Sequence, residues 1–199
     1  MNAGTHLFWI TSRAAGTAAI VAASASVTVG ILLGRRRSAS LTDLRALHEA
    51  LSLLTLALIG VHGLSLLGDH FLRPGLAGIL IPFDGSYRPV WTGLGIIGGY
   101  GLAALGLSYY LRDAIGPSRW RRLHQLTALF WALGVAHSIG GGSDGGTAWF
   151  LLLGAAAVLP AAAMVLGRTG SRFAQILNLP REHSPVRTEP APRPLLPDR

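Results

Sequence analysis

The chain has 199 residues, 50% hydrophobic and only 13% charged, with a mean hydropathy of +0.45. A soluble domain of this length carries about 25% charged residues, so the composition points to a membrane protein. All 17 basic residues are arginine, giving a net charge of +8, but they sit at the ends of apolar runs rather than along one polar face, which argues against nucleic acid as a partner. Cysteine is absent, which excludes disulfides, thiolate chemistry, Fe–S clusters and c-type haem attachment.

Five apolar runs approach or exceed the length needed to cross a bilayer, about 20 residues. The first, 14–33, is followed by the basic cluster Arg35, Arg36 and Arg37. Its n-region is not basic in the manner of a signal peptide and the basic cluster follows it instead, so it reads as a retained span, although "ASAS" at 23–26 offers small residues for cleavage. The second run is 44–67. After it comes a loop, 69–89, "DHFLRPGLAGILIPFDGSYRP", whose apolar stretch 76–83 is too short to span. That stretch is expected to lie in the interface or to fold back over the bundle. The third run is 90–111. The fourth, 123–139, is the shortest and borrows its first turn from "SRWRR", whose arginines snorkel to the interface. The fifth, 147–166, contains Pro160, where a kink is expected. Residues 171–179 read as a short surface helix. The tail beyond 180, with prolines at 180, 185, 190, 192, 194 and 197, reads as disordered.

Orientation follows from the arginines. Arg45 joins the cluster between runs one and two. Arg112, Arg119, Arg121 and Arg122 separate runs three and four, and Arg168, Arg172 and Arg181 follow run five. Only Arg13, Arg73 and Arg88 lie on the other side. The positive-inside rule then places the N-terminus outside and the C-terminus in the cytoplasm. The expected fold is an all-α, multi-pass cell-membrane protein. It has a bundle of about five transmembrane helices in residues 1–170 and a Pro/Arg-rich cytoplasmic tail in 171–199.

Two runs carry two histidines each. His48 and His62 stand at i and i+14 on the second, and His124 and His137 at i and i+13 on the fourth. Ionisable side chains in a membrane helix usually face the bundle interior. Both helices run from cytoplasm to outside, so His48 and His124 share an inner level and His62 and His137 an outer one, about 20 Å away. Neutral imidazole is a good axial ligand for haem iron, and two per level suit a six-coordinate electron-transfer haem. Helix–helix contacts, a proton path and a bound transition metal are the alternatives. On a straight helix a spacing of 14 returns within about 40° of the starting face, whereas 13 misses by about 140°. The fourth helix must therefore bend or tighten, with Gly134 a candidate position, or the two haems must sit at different azimuths. His6 and His183 read as idle, and His70, beside Asp69, as a loop residue and the spare ligand on the outer side.

A histidine pair 14 apart, followed two helices later by a pair 13 apart, resembles the ferric reductase-like transmembrane domain family. That superfamily comprises ferric reductases, NADPH oxidases and the haem-binding membrane subunit of a bacterial methionine sulfoxide reductase system. The segments "FWITSRAAGTAA" (8–19), "IPFDGSYRPVWTGLG" (81–95) and "WRRLHQLTALFWALGVAHSIGGGSD" (120–144) look like a stand-alone member of its actinobacterial branch. The resemblance implies two b-type haems, with His48 and His124 ligating the inner iron and His62 and His137 the outer one. It also implies that Phe130 lies between the haems, against the plainer reading of Phe130 and Trp131 as packing residues. Arg45, Arg121 and Arg122 would pair with the inner propionates, or simply anchor the cytoplasmic side. Arg73, Arg88 and Tyr87 are the outer counterparts.

The chain departs from the fused members of that superfamily. Only about 30 residues, mostly proline-rich, follow the last span, with no Gly-rich nucleotide fingerprint, and the count is five spans rather than the six common in relatives. The expectation is an oxidoreductase component without its own NAD(P)H or flavin domain. It would move electrons from a cytoplasmic flavoprotein reductase, or from membrane quinol, to an outer acceptor such as ferric iron, oxygen or an exported redox protein. Flavin would enter only through a partner, and quinone is a candidate cofactor. Two rivals stand beside it: an obligate electron-transfer subunit of a methionine sulfoxide reductase-like system, and a haem-free membrane scaffold or proton conductor. No acid–base pair or nucleophile suggests catalysis by side chains, so any chemistry belongs to the cofactor.

Overall fold

A computed structural model describes residues 4–35 and 41–177. Arg36, Arg37, His183 and the proline-rich tail lie outside the described residues. Helix α1 (Gly4–Arg35) is followed by α2 (Leu41–Leu67), the short α3 (Gly75–Leu80) and α4 (Pro89–Leu107). A 3₁₀ turn, Ser108–Leu111, leads into α5 (Arg112–Ile115), then α6 (Pro117–His124), α7 (Thr127–Gly140) and α8 (Ala148–Leu177). No strand forms among the described residues. Proline starts both α4 and α6, where its missing N–H costs no helical bond. Gly116, at φ 92°, makes the corner between α5 and α6 in a conformation that favours glycine.

Four helices are long and apolar enough to cross a membrane: His6–Gly34, Thr42–Leu67, Pro89–Ile115 and Ala148–Gly170. The fourth run of the sequence does not join them. It is divided into α6 and α7 by a turn at Gln125 and Leu126, and α7 has only 14 residues. The two pieces together cover 117–140. At the break, the amides of Leu126, Ala128 and Leu129 bond carbonyls three residues back, those of Leu123, Gln125 and Leu126, at 2.9, 3.4 and 3.0 Å. Such tightening winds the chain at about 120° per residue rather than 100°. Over the three to five residues involved it supplies about 60–100° of the roughly 140° that the i, i+13 spacing lacks. The distortion therefore sits beside His124 and not at Gly134, which lies within α7 and accepts a bond from Ser138 Oγ at 2.9 Å.

Two further boundaries differ from expectation. Residues 171–177 continue α8 rather than forming a separate surface helix, and Pro160 lies inside α8 as the sequence places it. α1 begins at Gly4, well before its apolar run, and takes in Arg13, which is neutralised within the fold. Its guanidinium forms a two-pronged ion pair with Asp144, in the loop between α7 and α8. It also lies 4.8 Å from the Trp9 ring centroid and 5.7 Å from that of Trp149. Asp144 is buried. Arg13→Leu leaves that carboxylate unpaired and is expected to cost about 3 kcal/mol, read as a lower thermal midpoint in detergent. An unchanged midpoint would mean that the loop is held without the pair.

α1 pairs along its length with α2, and α4 pairs with α7, while α1 also touches α7 and α8. The centre is built from small residues. Ser12, Ala15, Ala19, Ala22, Ala23, Ser24 and Ser26 are all buried on α1, which lets backbones approach closely. Ile20, Ala23, Trp131 and Ala161 form the buried cluster, and Trp131 Nε1 donates to Ser24 Oγ at 3.0 Å. Large apolar side chains face outward instead, including Leu54 and Leu64 on α2 and Leu152, Leu159 and Leu166 on α8. Such an inverted distribution suits lipid rather than water. The loop after α2 folds back: the Phe83 ring fills the space in front of Gly93, and Tyr100 Oη donates to the Leu80 carbonyl at 2.7 Å.

Candidate cofactor site: two facing histidine pairs

The two helix pairs put the four histidines in register. His48 faces His124 with ring centroids 6.1 Å apart and ring planes at 88°. His62 faces His137, again at 6.1 Å, with planes at 67°. The pairing shows that α2 and α6–α7 run parallel. The helices carrying the facing rings make little direct contact with each other. Each is held from behind, α2 by α1 and α7 by α4.

That backing fixes the imidazoles. His48 Nδ1 donates to the carbonyl of Ser26 at 3.0 Å, and His62 Nδ1 to that of Ser12 at 2.8 Å, both on α1. His137 Nδ1 donates to the Trp91 carbonyl at 2.9 Å, and His124 Nδ1 to the Leu105 carbonyl at 3.4 Å. A carbonyl can only accept, so each Nδ1 carries the proton and each Nε2 keeps its lone pair. All four rings thus share the tautomer in which Nε2 is free to bind a metal. A backbone carbonyl on the other nitrogen is the usual partner of a ligating histidine.

Glycines make room for three of the rings. A Cβ at Gly16 would lie 2.9 Å from His62 Nδ1, at Gly30 3.0 Å from His48 Cε1, and at Gly95 2.6 Å from His137 Cγ. Contacts that short are incompatible with an undisturbed ring. His124 is backed differently, by the Trp120 ring stacked on it at 4.8 Å. Trp120 in turn donates from Nε1 to Ser108 Oγ at 3.1 Å.

No family model, curated protein or solved structure matches this chain.

The remaining sequence-predicted residues fall at distinct places. Phe130 lies on α7 between the two histidine levels, half-buried, with its ring filling the space in front of Gly101 on α4. Trp131 points elsewhere, to Ser24 of α1. Arg45, Arg121 and Arg122 are exposed on α2 and α6, at the end of the molecule that holds His48 and His124. At the other end, Arg73 Nε donates to the His70 carbonyl at 2.8 Å, and Arg88 donates to the Gly140 carbonyl at 2.6 Å while lying 5.5 Å from the Tyr87 ring. His70 and His6 are exposed. An open apolar groove of about 660 Å³ runs between α1, α2 and α8, and none of the four histidines lines it.

Sequence reasoning missed the residues behind the rings. Ser12 and Gly16 recur at i+14 as Ser26 and Gly30, and Trp91 and Leu105 share the same offset. That period equals the spacing of His48 and His62. The signal was present in the sequence, but on helices that carry no ligand of their own.

Proposed function

We infer that this chain is a multi-pass membrane protein that holds two b-type haems, one between each histidine pair, and carries electrons between the two faces of the membrane. The observation that carries the reading is the spacing of the facing rings. A metal bound to an imidazole nitrogen at about 2.0 Å lies about 3.2 Å from the ring centroid. Two imidazoles on opposite sides of one metal then have centroids about 6.3 Å apart, and both pairs stand at 6.1 Å.

His48 and His124 would hold the inner group, and His62 and His137 the outer one. Bound there, haem supplies reversible one-electron transfer. The chain's own residues do the positioning. The carbonyls of Ser12, Ser26, Trp91 and Leu105 set the tautomer and ring plane, and glycines keep three rings from being pushed out of line. Arg45, Arg121 and Arg122 offer charge-assisted donors for the inner propionates, with Arg73 and Arg88 as the outer counterparts. Phe130 stands between the two levels along α7 with its ring against Gly101 of α4, where the family likeness would set an aromatic between the haems.

The rival chemistries fit less well. A proton relay needs a partner that can itself be protonated at the far nitrogen of each ring. Serine hydroxyls stand beside that nitrogen in His48 and His62, but in His124 and His137 it meets only a carbonyl, where a relay ends. Among the described residues, no three His, Cys, Asp or Glu side chains gather to hold a metal ion. Two imidazoles leave a bare ion short of ligands, whereas a porphyrin brings four of its own. Likeness to the ferric reductase-like family rests on the histidine spacing and the quoted segments, and donor and acceptor follow from that likeness alone.

The test is a visible spectrum of the detergent-purified chain, oxidised and dithionite-reduced, with haem quantified per chain. Two haems with low-spin b-type bands are expected. In vesicles with trapped ferricyanide, an external reductant should bleach the trapped dye only when the chain is present. Well-folded, colourless protein would overturn the reading.

A further inference from the structure

Within each level the two imidazoles are held unequally. His124 and His137 meet only the carbonyls of apolar residues, Leu105 and Trp91. His48 and His62 each meet a serine twice, through its carbonyl and through its hydroxyl. Ser12 Oγ lies 3.0 Å from His62 Nδ1, and Ser26 Oγ lies 3.2 Å from His48 Nδ1.

The direction of these hydroxyl bonds follows from the single proton each carries. Ser12 Oγ donates to the backbone carbonyl of His62 at 3.0 Å. Its proton is therefore committed, and towards His62 Nδ1–H it can only accept. At the inner level the loop closes through one more serine. Ser52 Oγ donates to the His48 carbonyl at 2.7 Å, so in its 2.9 Å contact with Ser26 Oγ it must accept. The Ser26 proton points to Ser52, and Ser26 Oγ also accepts from His48 Nδ1–H. Each α2 imidazole thus donates one N–H to two oxygens of a single serine, whose hydroxyl proton is tied back to that histidine's own backbone.

We propose that Ser12 and Ser26 are positioning residues that set the reduction potentials of the outer and inner haems separately, by strengthening His62 and His48 as ligands. The inference rests on the haem reading above. A second acceptor on Nδ1–H raises the basicity of Nε2, which favours the oxidised metal and lowers its potential. Ser12 and Ser26 repeat along α1 with the same offset as the two histidines of α2, so one helix carries both adjustments, one per level.

The experiment is a redox titration of the purified holoprotein, with haems assigned by the single-haem variants His62→Ala and His48→Ala. Ser12→Ala removes the hydroxyl and keeps the carbonyl. It should favour reduction of the outer haem about tenfold, a rise of about 59 mV for a one-electron couple, and leave the inner haem in place. Ser26→Ala should do the reverse. Ser24→Ala, whose hydroxyl bonds Ile20 and Trp131 and no histidine, should move neither.

Ser12→Thr keeps a hydroxyl acceptor, and Ser12→Cys keeps the shape with a much weaker one. These two carry the test if Ser12→Ala sheds its haem. The cysteine variant should rise in potential and the threonine variant should not. Equal potentials for those two, or equal shifts at both haems, would overturn the proposal while leaving two haems bound. A colourless native chain would instead overturn the haem reading, and this proposal with it.

Discussion

With two haems bound as proposed, replacing His62 by alanine is expected to lower the haem content from two per chain to one and to leave the spectrum of the haem at the His48–His124 level unchanged. The structure pairs His62 with His137 and His48 with His124 at equal centroid distances. The helix between His48 and His62 separates the levels by about 21 Å. Loss of one ligand should therefore empty one level only. The stronger form of the prediction concerns pairs of changes. His62→Ala with His137→Ala should still leave one haem, because both changes act on the same level and their effects do not add. His62→Ala with His48→Ala should leave none, although it too removes two histidines. Haem quantification with reduced-minus-oxidised spectra reads all of these. One haem remaining in the second double variant would refute the cross-helix pairing.

The glycines behind the rings should give a graded response. Gly95→Ala brings a methyl group to 2.6 Å of His137 Cγ and Nδ1, with the ring pinned by the Trp91 carbonyl. The ring or the helix must shift, at a cost of about 1–3 kcal/mol, and outer haem occupancy should fall below half. Gly16→Ala, at 2.9 Å from His62, and Gly30→Ala, at 3.0 Å from His48, should produce smaller, level-specific losses. A methyl group added at Gly34 or Gly60 would meet nothing within 4 Å. Alanine there should keep both haems and stabilise its helix by up to about 1 kcal/mol. If all five substitutions behaved alike, the close packing of glycine on imidazole would play no part in holding the site.

Much of the helical architecture was legible because lipid imposes simple rules on a chain. Long apolar runs read as helices, since only internal hydrogen bonding satisfies the backbone in hydrocarbon, and four helices have the length and composition required. The fourth run was harder. Its hydrophobicity hid a turn at Gln125 and Leu126, and hydropathy reports solvent preference, not the winding of the backbone. The i, i+13 spacing of His124 and His137 did demand a local change of winding, and that demand could be read in advance. The position could not. Gly134 looked permissive by residue type, but the tightening occurs among Leu123, Gln125, Leu126 and Leu129, none of which advertises it.

Arg13 shows the same limit. Its charge seemed to end the first apolar run, and only the fold brings the distant Asp144 into an ion pair with it. The sequence by itself determined that the chain is helical and apolar, and it marked four histidines by their type and period, because helix periodicity is a local property. The pairing of His48 with His124 and of His62 with His137 could be read from two parallel spans. How closely the rings stand, which nitrogen of each holds the proton, and which serines, glycines and carbonyls stand behind them were decided only by tertiary structure. Those contacts join helices through backbone atoms, and a carbonyl that fixes an imidazole belongs equally to serine, leucine or tryptophan.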